Sequence, residues 1–156
     1  MKKLILLLLT CAAFSANAQK QLPDPEAYFM SFIVEDIDTS LKWYKGILGF
    51  DIINEMASEQ GGYNIAILKR GNVLLEVMEL KDALAPKKEL AQVDGKLYLQ
   101  GIFKVGFQLE DFDDWVDYLK KEEVEFHGTV VKDENLGIRT VIIKDPDGNY
   151  IQLFEK

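Results

Sequence analysis

From Tyr28 onward the apolar positions fall into short alternating runs, interrupted twice by a stretch with a helical period. Met30 to Val34 alternates well enough to be a strand. Leu41, Tyr44, Ile47 and Leu48 then share one face of a helix, with Asp38 or Thr39 placed to cap its start and Gly49 placed to end it. Phe50 to Met56, Tyr63 to Lys69 and Val73 to Leu80 follow as three strands. The order then begins again. Ile102 to Leu109 is a strand, and Phe112, Trp115, Val116 and Leu119 give the apolar stripe of a helix from Asp113 to about Lys121. Val124 to Val131, Ile138 to Lys144 and Asn149 to Phe154 complete a second set of three strands.

The two halves also match in sequence. At an offset of 75, Phe32 falls on Phe107, Glu35 on Glu110, Asp36 on Asp111 and Asp38 on Asp113. Downstream, "GNVLLEV" and "GNYIQLF" each turn through Gly-Asn into an apolar strand. Two widely spaced copies indicate a duplicated βαβββ unit and not a solenoid. The expected fold is therefore α+β, one domain over 28–156 made of units 28–80 and 101–156. Residues 81–100 form a charged surface connection holding Pro86 and Gly95, with a short helix expected around Lys87 to Gln92. A helix on one face of each four-stranded sheet leaves the other face open, and two such sheets can make a curved cup. Val73, Leu75, Val77, Ile151 and Leu153 should meet the helices. Leu74, Glu76, Met78, Tyr150, Gln152 and Phe154 should face the cup.

Composition narrows the partners. Residues 1–18 read as a signal peptide: Lys2 and Lys3 precede an apolar run, and Ala16-Asn17-Ala18 offers a small-x-small cleavage site. A secreted or periplasmic protein is expected. The run is too short for a membrane span. Cys11 also invites a lipoprotein reading, against which Thr10 is a poor residue ahead of a lipidated cysteine. Once residues 1–18 are removed, no cysteine remains for a disulfide, a thiol nucleophile or a thiolate ligand. The net charge of −8 disfavours nucleic acid and anionic membrane surfaces as partners. Its plainest meaning is solubility.

"FIVEDIDTSLKWYKGILGFDI" and "IIKDPDGNYIQLFE" resemble the vicinal oxygen chelate superfamily, which includes glyoxalase I, extradiol dioxygenases and bleomycin-resistance proteins. The resemblance spans about Tyr28 to Glu155. It implies a divalent metal in the cup, held from the first and fourth strands of each unit. The first-strand ligand stands seven residues before the Asp of the Val-x-Asp motif, which gives Phe29 from Asp36 and Lys104 from Asp111. The fourth-strand ligand follows the Gly-Asn turn, which gives Glu76 and Gln152. Only Glu76 is a normal ligand. Phenylalanine has no donor atom, a lysine ammonium has no lone pair, and Gln152 offers one neutral oxygen. No cofactor and no divalent metal are expected, which also removes the support that glyoxalase and dioxygenase chemistry draws from the ion.

Several residues remain as candidates. Lys104 can take over the charge of the metal and hold a carboxylate, phosphate or enolate oxygen, while Glu76 accepts a proton or a hydrogen bond. Alternatively the two form an ion pair that closes an empty site. Phe29, Met78, Lys104, Gln108, Arg139, Tyr150, Gln152 and Phe154 are the expected ligand-binding set. Arg139 either grips an anion inside the cup or lies on a solvated strand edge. His127, the single histidine, is expected on the surface or rim. "EDIDTS" and "EDFDDW" are acidic but lack the glycine and spacing of a calcium loop, and helix capping accounts for them.

The leading expectation is a binding protein for a small, partly apolar, anionic molecule. A metal-independent enzyme using Glu76 and Lys104 is second. A weakly metal-dependent glyoxalase-like lyase follows, and a structural or protein-interaction role stays open. Pairing of units between chains, frequent in the resembled family, implies a homodimer.

Overall fold

The structure is a computed structural model that describes residues 27–85 and 101–156. The segment read as a signal peptide and the helix expected at Lys87 to Gln92 lie outside the described residues.

Each unit has the expected order. In the first, β1 (Phe29–Val34), α1 (Ile37–Gly46), β2 (Asp51–Ser58), β3 (Tyr63–Arg70) and β4 (Val73–Leu80) build a sheet in the order β1-β4-β3-β2. In the second, β5 (Lys104–Leu109), α2 (Phe112–Lys121), β6 (Val131–Lys132), β7 (Arg139–Lys144) and β8 (Tyr150–Glu155) build one in the order β5-β8-β7-β6. The first strand of each unit runs parallel to its last, and the remaining pairs are antiparallel. The result is an α+β fold of two mixed sheets with few helices.

The alternation places side chains as their chemistry requires. Leu75, Val77, Ile151 and Leu153 are fully buried, together with Ala66, Leu68, Val141 and Ile143 from the neighbouring strands. Leu41 and Tyr44 of α1 and Phe112, Val116 and Leu119 of α2 pack into the same cluster. Burying each such aliphatic side chain stabilises the fold by roughly 1.5–3 kcal/mol before entropy is counted.

Three local features depart from the sequence reading. Asp36 caps α1, not Asp38 or Thr39: its backbone is extended and its Oδ1 accepts the Thr39 amide at 2.7 Å. Asp38 and Thr39 already lie inside the first turn, where neither can reach back. The helix ends at Gly46, and Gly49, at φ +63°, makes the later turn into Phe50. The strand expected over Val124 to Val131 is reduced to one bridge, Phe126 with Ile143, and the two-residue β6. Glu123 leaves α2 in the left-handed region and Gly128 bends the chain again at φ +89°, so continuous pairing between them is lost.

The units are joined on their helix side. The Tyr44 hydroxyl, with none of its residue exposed, donates to Asp145 Oδ2 at 2.8 Å. Asp145, 4% exposed, also accepts the amide and the side-chain nitrogen of Asn149, both at 2.8 Å. Burial, with the Asp145 charge beside it, pushes the Tyr44 phenol well above its ordinary range, so it stays a donor. Asp147 of the same turn accepts the Glu35 amide at 2.8 Å and the Ser40 hydroxyl at 3.2 Å. Tyr118 of α2 donates to the Gly46 carbonyl at 3.0 Å, Arg70 lies 4.6 Å over Trp115, and the rings of Phe50 and Phe107 meet at 6.4 Å. The Asp-Pro-Asp-Gly-Asn turn is thus the clamp between units.

Candidate functional site

Phe107 faces the shared core together with Val105 and Leu109. Lys104, Gly106 and Gln108 therefore stand on the opposite, open face of the second sheet, where all three are exposed. Glu76 stands opposite Leu75 and Val77 by the same logic, on the open face of the first sheet. Both open faces turn away from the common core. Among the described residues no salt bridge joins Glu76 to Lys104, so the charge pair expected inside one chain is not formed. Glu76 is instead the acceptor of Ser31 Oγ at 2.8 Å, its register partner on β1. Lys104 has no carboxylate within salt-bridge reach among the described residues.

The other expected lining residues divide. Phe29 is 55% exposed and meets Tyr28 edge-on at 5.6 Å. Met78 lies between Ile33 and Ile65 on the open face of the first sheet. Gln108 pairs with Phe154 across β5 and β8. The Phe154 ring lies over Gly106: a Cβ built there would come within 3.1 Å of the ring, so the missing side chain sets the floor of this face. Gln152, 8% exposed, donates through Nε2 to Thr140 Oγ1 at 2.9 Å, and Thr140 in turn donates to the Leu153 carbonyl at 2.7 Å.

Arg139 is not part of this surface. It shares the helix-side parity of Val141 and Ile143. Its guanidinium is held by both oxygens of Asp113, at 2.7 and 3.1 Å, and by Glu155 at 2.7 and 3.1 Å. The Phe112 ring lies 5.3 Å away. Hydrogen bonds donated to Glu155 and then to Asp113 raise the guanidinium above its ordinary range, and Arg139 holds Glu155 below the usual carboxylate range. All its donating edges are occupied within the protein.

Two neighbours escaped the sequence reading as site residues. Phe103 packs edge-on against Tyr150 at 5.2 Å, and the His127 ring lies 4.7 Å from the same phenol. His127 is exposed, at the rim as expected, but on the open face. A groove of about 430 Å³ also runs between the units, bordered by Phe50, Arg70, Phe107 and Trp115.

The resemblance would place an ion at Phe29, Glu76, Lys104 and Gln152. One carboxylate, one neutral amide, one ammonium and one phenyl do not fit a divalent cation. Among the described residues no group of three His, Cys, Asp or Glu side chains is placed to hold one.

The sequence model of the Glyoxalase/Bleomycin resistance protein/Dioxygenase superfamily matches residues 27–153. The chain belongs to this superfamily. It is 27% identical over 125 residues to the metallothiol transferase FosB of Staphylococcus epidermidis, covering 78% of this chain and 75% of that relative. The glyoxalase family protein from Enterococcus faecalis superposes with a TM-score of 0.71 at 19% identity, over 83% of this chain and 97% of that one. The trypanothione-dependent glyoxalase I from Leishmania major gives 0.62 at 21% identity, over 85% and 87% of the two chains. At such identities the two solved structures establish the glyoxalase-like fold and no more. No helix among the described residues of this superfamily member is long and apolar enough to cross a membrane.

Proposed function

We propose that this protein binds a small, partly apolar, anionic molecule on its open sheet faces, without a tightly held catalytic metal. The observation that carries the reading is Lys104: an exposed ammonium without a carboxylate partner among the described residues, at a position where the fold's metal enzymes place a ligand. It supplies positive charge without coordination chemistry. The bridge to Glu76 is then made by a second copy of the chain, because the two open faces of one copy turn apart. Exposed Phe29, Ile33 and Met56 on the first sheet favour such a cover. The leader at residues 1–18 would send the protein out of the cytoplasm, and the amino terminus of the exported form is then expected at Gln19.

Purified protein is expected to carry far less than stoichiometric zinc, nickel or iron by elemental analysis. One equivalent of any of these overturns the ligand assignment. In a thermal-shift screen of small acids, binding should survive chelation and weaken about fivefold in Lys104→Ala, the scale of one exposed charge pair. Arg139→Gln should leave that binding unchanged, since its guanidinium is committed to Asp113 and Glu155. If Arg139→Gln abolishes binding, the open face is not the site. The dimer is checked by sedimentation: a monomer at every accessible concentration removes the two-copy arrangement.

One observation favours an enzymatic reading in second place. Ser31 fixes the Glu76 carboxylate on an open surface, where it can take a proton from a bound substrate. Turnover of a hemithioacetal that persists with chelator and vanishes in Glu76→Gln would decide for a metal-independent glyoxalase-like lyase over a binding protein. Turnover lost with the chelator would point to the weakly metal-dependent lyase.

A further inference from the structure

The second sheet's open face carries a row of which only Lys104 belongs to the four superfamily positions. Tyr150 on β8 is in register with Lys104 on β5 and with Lys144 on β7. Residues paired across a sheet share a face, so the phenol stands between two lysine stems. Phe103 adds a ring edge-on, its plane at 68° to the phenol, and His127 adds another tilted by 40°. His127 reaches this place through the irregular segment after α2. Its amide donates to the Ile142 carbonyl at 2.8 Å while Phe126 bridges Ile143, which sends Phe126 toward the core and His127 to the open face. Phe103 and His127 are both exposed, so neither ring is needed to fill the interior.

The two lysines are not equivalent. Lys144 is ion-paired with Glu125, which raises its ammonium above the ordinary range and cancels its charge locally. Lys104 has no carboxylate within salt-bridge reach among the described residues. The row therefore presents one net positive charge beside a patch of π-surface.

We propose that this shelf binds a planar aromatic carboxylate, with its ring against Tyr150 and His127 and its carboxylate on Lys104. The proposal rests on the anion-binding reading above and names its ligand class. A single uncompensated ammonium matches a singly charged acid. Aromatic rings set edge-on or offset against a flat guest gain more than buried area alone, a gain that a saturated guest does not share. The phenol and imidazole leave polar atoms at the edge, which suits a guest whose far end stays wet.

The full chain is titrated by calorimetry with 2-naphthoate, its saturated analogue decahydro-2-naphthoate, and acetate. The expected order is 2-naphthoate first, with the saturated acid roughly tenfold weaker, the scale of a lost aromatic pair. His127→Ala and Lys104→Met should each weaken 2-naphthoate about fivefold, and Lys104→Arg should restore it. Both side chains are exposed, and circular dichroism is the check that the variants fold. Equal affinity for the flat and saturated acids, or indifference to His127→Ala, overturns the shelf. In that case sensitivity to Lys104→Met still upholds the anion-binding reading. No binding of any of the three acids removes both.

Discussion

Asp145→Ala should cost about 3–5 kcal/mol of folding stability, the scale set when one partner of a buried charged network is removed. Asp145 receives the Tyr44 hydroxyl and both nitrogens of Asn149 in a place that water barely reaches. Alanine leaves a phenol buried under α1 with no acceptor, and it loosens the turn that carries Asp147. Tyr44→Phe is the milder change, because Asp145 keeps its two bonds from Asn149. It should cost about 1.5–3 kcal/mol, the range for a hydrogen bond to a charged group. Urea unfolding of both single variants and of the double variant measures the coupling. If the two losses simply add, the bond between the units is not the source of either.

The second large effect concerns Gln152. Gln152→Glu keeps the shape and introduces a carboxylate at the position that the resemblance assigns to a metal ligand. The amide now donates to Thr140 Oγ1, whose own hydrogen is committed to the Leu153 carbonyl. An ionised carboxylate there faces an acceptor and gives up a bond, at about 2–3 kcal/mol near neutral pH. A protonated one can donate as the amide did. Burial therefore raises the folded pKa of the introduced group, and the fold holds the proton more tightly than the unfolded chain does. The penalty is expected to be absent in acid, to appear as pH rises above about 4.3, the ordinary glutamate value, and to level off above the folded pKa. Added zinc should not relieve it, since Phe29 and Lys104 supply no further ligands. A flat pH dependence, or rescue by zinc, would contradict this picture of the position.

How much of this was legible in the sequence depended on the kind of signal. The strand faces were: Val73, Leu75 and Val77 against Leu74, Glu76 and Met78 is a clean period of two, and the full burial of Leu75 and Val77 follows it. The internal repeat likewise carried Phe29 and Lys104 to equivalent places. Helix caps were less legible because Asp36, Asp38 and Thr39 compete for one position, and only backbone geometry decides which reaches an orphan amide. Arg139 was decidable from parity, since Val141 and Ile143 put it on the helix side, but the attraction of a cup-lining arginine competed with that signal. The stretch from Val124 to Val131 alternates like a strand, yet Glu123 and Gly128 bend it out of pairing. That bend is also what delivers His127 to Tyr150, so the ring shelf was hidden by the same misreading. The apposition of the two units was not legible at all. It depends on contacts such as Tyr44 with Asp145, which no local pattern encodes.

That apposition has a consequence for how the chain folds. Tyr44 meets a partner 101 residues further along, and Glu35 and Ser40 wait for Asp147. Until Asp145 to Asn149 are in place, α1 has its own Asp36 cap but the Tyr44 phenol lacks its acceptor. The first unit is therefore expected to complete its packing only when Asp145 to Asn149 dock and close the long loop between the units.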